Sequence, residues 1–114
     1  MKKPTLLSAT ESCVCSLLEP AQTVDQGIIS RAVLTTPALR VTLFHFAAGQ
    51  ELSEHTSKAR AMVQILHGTC AFTTGKTVQT LKVGDLLHLP PGAPHAVLAT
   101  EAFSMLLTQV TESA

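Results

Sequence analysis

The sequence predicts an all-β domain of antiparallel strands, arranged as a sandwich or a barrel. Short strand-sized apolar runs recur at regular spacing, and Gly, Pro and polar clusters separate them. No long helical pattern interrupts them. At 114 residues the chain is long enough for one core and too short for two.

The elements follow in order. Residues 5–18 suit either a short helix or a strand. The first clear strand is Gly27 to Leu34, ended by Thr35-Thr36-Pro37. Leu39 to Phe46 comes next, with Val41, Leu43 and His45 on one face and Thr42, Phe44 and Phe46 on the other. Ala47-Ala48-Gly49 breaks it. Met62 to His67 is an apolar strand that stops at Gly68, and Thr69 to Thr74 follows with Cys70 and Phe72 sharing a face. Gly75-Lys76 suits a hairpin tip, from which Thr77 to Val83 returns. Gly84-Asp85 turns the chain, with Asp85 expected to bond the backbone amides that follow it. Leu86 to Leu89 is another strand, and Pro90-Pro91-Gly92-Ala93-Pro94 forces a stiff loop. His95 to Ala99 and Phe103 to Val110 complete the sheet, giving eight to ten strands in all.

Composition excludes several function classes. Eight basic and eight acidic residues balance to a net charge of +0 and form no Lys/Arg stripe, so no nucleic-acid partner is expected. The apolar runs are far below the roughly 20 residues of a spanning helix, so no membrane partner is expected either. Leu6 and Leu7 are too short an apolar core for an export signal, which needs about 7 to 15 residues. Cys13, Cys15 and Cys70 are an odd number and suggest no disulfide framework, which fits a reducing, cytoplasmic setting. Cys13-x-Cys15 is a weak soft-metal motif, and small packed residues are the simpler reading. No phosphate-binding glycine loop opens a helix, so no nucleotide is expected. A serine-hydrolase elbow is missing as well.

Two segments carry the chemistry: Gly49-x5-His55 closing on Gly68, and Gly84-Asp85-x4-Pro90-x-Gly92-x2-His95. They set turn formers at strand ends and deliver one histidine each. Together they resemble the two motifs of the cupin family. The resemblance implies an antiparallel double-stranded β-helix, or jelly-roll barrel, over residues 26–114, with residues 1–25 as an extension packing on it. It also implies that His55 and His95 point into the barrel and bind one divalent metal: iron, zinc, manganese or nickel. In that family the first motif continues with a second histidine and a glutamate, and those positions hold Ser57 and Ala61 here.

Two imidazoles fall short of the three protein ligands usual for catalytic metals, so a third donor is sought. His45 would enter the barrel beside His55 if the face of Val41 and Leu43 is inward. His88 lies on the strand leading to His95. Glu54 should face away from His55 by alternation, whereas Glu51 shares its parity across a turn. His67 reads as an exposed turn residue. If Ala61 faces inward, Val63 and Ile65 follow it and Gln64 faces out. Ser57, on the face of His55, and Phe72, Leu87 and Met105 are expected to line a small-molecule pocket.

Three functions remain open. One is a metal-assisted small-molecule protein, with dioxygenase, isomerase or decarboxylase chemistry if it is an enzyme. Another is a metal-free binding barrel, and the last a structural dimer with a vestigial site. Homodimerisation is expected in each, through an apolar outer surface carrying Phe44, Phe46 or Leu106.

Overall fold

The computed structural model describes residues 5–17 and 26–112. Among these the chain forms nine strands and no helix: β1 (Ile28–Thr35), β2 (Leu39–Phe46), β3 (Glu51–His55), β4 (Arg60–His67), β5 (Cys70–Thr74), β6 (Thr77–Leu81), β7 (Leu86–Leu89), β8 (His95–Leu98) and β9 (Phe103–Val110). They make a five-stranded sheet in the order β1-β2-β9-β4-β7 and a four-stranded sheet in the order β3-β8-β5-β6. Every pairing is antiparallel. Non-consecutive neighbours such as β4 and β9, or β3 and β8, give the jelly-roll winding expected from the motifs.

Alternation decides what enters the core. Ala61, Val63 and Ile65 of β4, Cys70 and Phe72 of β5, Leu89 of β7, Val97 of β8 and Phe103 and Met105 of β9 are all buried in one apolar cluster. Phe46 of β2 belongs to it too, with its ring stacked on Phe103 at a centroid distance of 4.6 Å. Removing one such side chain from water stabilises the fold by about 1.5–3 kcal/mol. With Ala61, Val63 and Ile65 inward, Gln64 lies exposed on the outer face, as the alternation of β4 predicts.

The same alternation corrects the reading of β2. Phe44 and Phe46 face the core, so Val41, Leu43 and His45 lie on the outer side of the sheet. Two consequences follow. His45 does not enter the barrel, and Phe44 and Phe46 cannot supply an exposed apolar surface for dimerisation.

Local chemistry accounts for the remaining boundaries. Residues 5–17 form neither helix nor strand, but the Leu6 and Leu7 amides donate to the Ala32 and Val33 carbonyls at 3.1 and 2.8 Å. This segment therefore blunts the open edge of β1. Residue 18, and residues 1–4 and 19–25 of the expected extension, lie outside the described residues. The strand expected to run to Val83 stops at Leu81, because Asp85 closes the turn backwards. Its carboxylate accepts from the Lys82 amide at 2.9 Å, three residues earlier, rather than from amides that follow. Those hydrogen bonds, the Lys82 backbone bond foremost, hold the Asp85 carboxyl below the ordinary range. Gly68 is required by close packing, since a Cβ there would lie 2.2 Å from the Ala102 carbonyl oxygen.

Candidate functional site

The site begins with the pairing of β3 and β8. Leu52 sits opposite Val97 and His55 opposite His95, so β3 carries one more residue than β8 between those two pairs. That extra residue is a β-bulge, a distortion that re-aims side chains. Strict alternation would put Glu54 on the face of Leu52. The bulge instead brings His55 to the inward-facing row of Leu52 and Val97. Glu51 pairs with Leu98, which is partly exposed, and falls on the outer row. The parity of Glu51 with His55 is therefore broken, and among the described residues no third His, Cys, Asp or Glu joins the two histidines.

His55 is exposed at the rim and His95 half-buried beside it, with ring centroids 4.1 Å apart in an edge-to-face arrangement. The His95 ring is nearly parallel to that of the buried Phe72, at 6.1 Å and 18°. Each imidazole is anchored in the same way. His55 Nδ1 lies 2.9 Å from the Ser53 carbonyl oxygen, and His95 Nδ1 lies 3.0 Å from that of Ala93. A carbonyl oxygen can only accept, so Nδ1 carries the hydrogen in both rings. In the neutral ring Nε2 is then left with its lone pair, as the tautomer rule requires. Histidines that hold metals are almost always fixed by this kind of hydrogen bond on the second nitrogen.

The loops behind these anchors are tied together. Pro90-Pro91-Gly92-Ala93 forms a turn closed by the Ala93 amide on the Pro90 carbonyl at 3.1 Å, with Pro91 and Gly92 at its centre. Gly92 has φ of +82°, the conformation a type II turn demands at that position. Its amide donates to the Ser57 carbonyl at 2.7 Å, which joins the loop after His55 to the loop before His95. The Gly75 amide donates to Pro94 at 3.2 Å. These bonds fix the Ala93 carbonyl and hence the His95 ring.

The other sequence candidates lie elsewhere. His45 is on the outer face, where its Nδ1 is 2.6 Å from Ser104 Oγ. Burial lowers its pKa, and Arg31 and His67 add to the effect. His88 is exposed on the outer face opposite Met62, and its Nε2 accepts from Arg60 at 2.9 Å. That bond occupies the lone pair a metal would need. His67 is exposed, as its turn position predicts.

Ser57 was expected beside His55, but β3 ends at His55 and Ser57 belongs to the following loop. Its hydroxyl accepts from the Ala59 amide at 3.1 Å. Ala61 is buried and inward, but carries no donor atom. Phe72 and Met105 are core residues and Leu87 packs against the core; of these three, Phe72 is the one placed against a histidine. Cys13 is exposed and Cys15 partly so. Cys70 is wholly enclosed, and burial pushes its thiol up to about 11.

The donor set fits a divalent cation only in part. Two imidazole nitrogens suit zinc, nickel or iron better than manganese, which prefers oxygen. Among the described residues, no group of three His, Cys, Asp or Glu side chains could hold a metal ion. His55 and His95 would thus be its two protein ligands, and water or ligand oxygens the others. What the sequence could not reveal is the pair of anchors, because the carbonyls of Ser53 and Ala93 are backbone atoms that any residue carries.

Among the described residues no helix is long and apolar enough to cross a membrane. No functionally curated protein matches the chain in sequence. Solved structures do. A conserved protein of unknown function from Streptococcus pyogenes is 31% identical with a TM-score of 0.83, the match covering 100% of this chain and 98% of that one. An RmlC-like cupin from Desulfovibrio desulfuricans is 27% identical with a TM-score of 0.78, over 89% and 98% of the two chains. A cupin superfamily protein from Desulfitobacterium hafniense shares the fold at 24% identity and a TM-score of 0.77, over 81% and 84%. The family model of the cupin domain matches residues 42–109, from β2 almost to the end of β9. With both histidine motifs, the two-sheet winding and more than half its length matched, the chain belongs to the cupin family.

Proposed function

We propose that this cupin binds a small molecule at its barrel rim, through a divalent cation held by the Nε2 atoms of His55 and His95. The observation that carries this reading is the matched pair of Nδ1 anchors. Both rings are fixed in the tautomer that offers Nε2, 4.1 Å apart between centroids, on adjacent strands of one sheet. When bound, such a cation supplies Lewis-acid polarisation of a ligand oxygen. The chain's own part is to hold the two rings still, to back His95 with Phe72, and to leave the remaining places open. Ala61 brings no donor, and Ser57 lies in the loop beyond β3, where its oxygen accepts from the Ala59 amide. Oxygen atoms of the ligand therefore become part of the site.

A metal-free binding barrel is the second reading, favoured by the same two positions, Ser57 and Ala61. One experiment separates the two. The protein is purified without an affinity tag, its metal content is measured by elemental analysis, and His55→Ala and His95→Ala are compared with it. The expected result is uptake of zinc, nickel or iron that weakens about tenfold or more in each variant. Content that is substoichiometric and unchanged by both substitutions contradicts the metal reading and leaves the metal-free one.

A further inference from the structure

Beyond the histidine pair, the structure contains a cleft of about 270 Å³ where the β1–β2 turn meets the β3–β4 loop and the end of β9. Its lining includes two cations, Arg40 and Lys58, together with Thr36, Ser57, Gln109 and Thr111, and no carboxylate. The two charges come from separate parts of the chain. Arg40 lies in β2 opposite Gln109 of β9, and Lys58 lies in the loop between β3 and β4. Like charges brought to one cleft repel unless something negative lies between them.

Among the described residues neither Arg40 nor Lys58 has an ion-pair partner, and the nearby Glu112 is paired with Arg60 instead. The hydroxyls point to the same kind of ligand. Thr36 Oγ1 accepts from the Leu39 amide at 3.0 Å and Ser57 Oγ from the Ala59 amide at 3.1 Å. With an acceptor site on each oxygen used, each hydroxyl hydrogen remains free to donate. A cleft lined by an arginine, a lysine and two hydroxyl-bearing residues suits an oxyanion, and arginine fits carboxylate or phosphate with two parallel bonds.

We infer that this cleft is an oxyanion site, which takes the carboxylate or phosphate group of a small organic molecule independently of any metal at His55 and His95. Backbone hydrogen bonds tie its walls together. The Thr111 amide donates to Ala38 at 2.9 Å, and the Ser57 carbonyl receives the Gly92 amide.

The test uses the full chain without added metal. Inorganic phosphate and malonate are titrated separately into ¹⁵N-labelled protein at constant ionic strength, with chloride as the reference anion. Saturable amide shifts are expected at residues 36–40, 57–59 and 109–111, and the tighter of the two anions identifies the group. Arg40→Gln and Lys58→Gln should each weaken binding at least about fivefold, with spectra unchanged elsewhere, while His55→Ala should leave it intact. Shifts that do not saturate, that chloride reproduces, or that both charge variants retain would overturn the assignment. Because His55→Ala removes the proposed cation ligand, failure of the metal reading leaves this result untouched.

Discussion

His45 shows how one residue can be mistaken for a ligand and still have a measurable role. Its ring is partly enclosed on the outer face, bonded to Ser104, with Arg31 and His67 as charged or titratable neighbours. Burial first, then those two groups, lowers its pKa below the ordinary 6.5. The unfolded chain therefore takes up a proton before the folded one as pH falls. The stability tied to His45 is complete above about pH 6.5 and is lost as pH falls through the folded value. Urea unfolding at pH 7.5 and 5.5 should show a drop in stability that is smaller in His45→Gln. An equal drop in both proteins would remove His45 as a source. The sequence showed which residues share its face but not which face is inward. That choice belongs to Phe44 and Phe46, whose rings the core takes.

Elements were more legible than the faces they present. The β2 boundaries, the Gly75-Lys76 tip and a strand count between eight and ten follow from apolar runs and turn residues, which are local properties. The β3 bulge is not local, because it exists only relative to β8, and it breaks the parity that Glu51 shares with His55 in the sequence. Gly68 illustrates the same distinction. Its place at a strand end was readable, but the reason for glycine is the approach of Ala102 and Phe103 from a distant segment. Gly68→Ala combines a backbone at φ +73° with a Cβ that would lie 2.9 Å from Phe103 Cα. The expected cost is about 2–4 kcal/mol. Gly84→Ala carries only the backbone strain, with nothing within 4 Å of the added carbon, and should cost about 1 kcal/mol. Equal losses in urea unfolding would contradict the packing argument.

At the scale of the molecule, the barrel was written in the spacing of its turns. The two motif histidines stand side by side on adjacent strands, His95 half-buried and His55 exposed at the rim rather than enclosed in the barrel. None of the residues weighed as a third donor joins the two histidines. His45 and His88 stand on the outside of the barrel and already have hydrogen-bond partners. The Arg40 and Lys58 cleft was equally hidden, since only the assembled sheet brings β2 beside the loop after β3. The proposed cation site needs both imidazoles held with Nδ1–H on carbonyls, so that each Nε2 keeps its lone pair. Long-range ¹H–¹⁵N correlation spectra at pH 8, recorded before and after one equivalent of zinc, test this most directly. Both His55 and His95 should show the Nδ1–H tautomer, and zinc should shift the Nε2 resonance of both together. Nε2–H tautomers, or Nε2 resonances that ignore zinc, would contradict it.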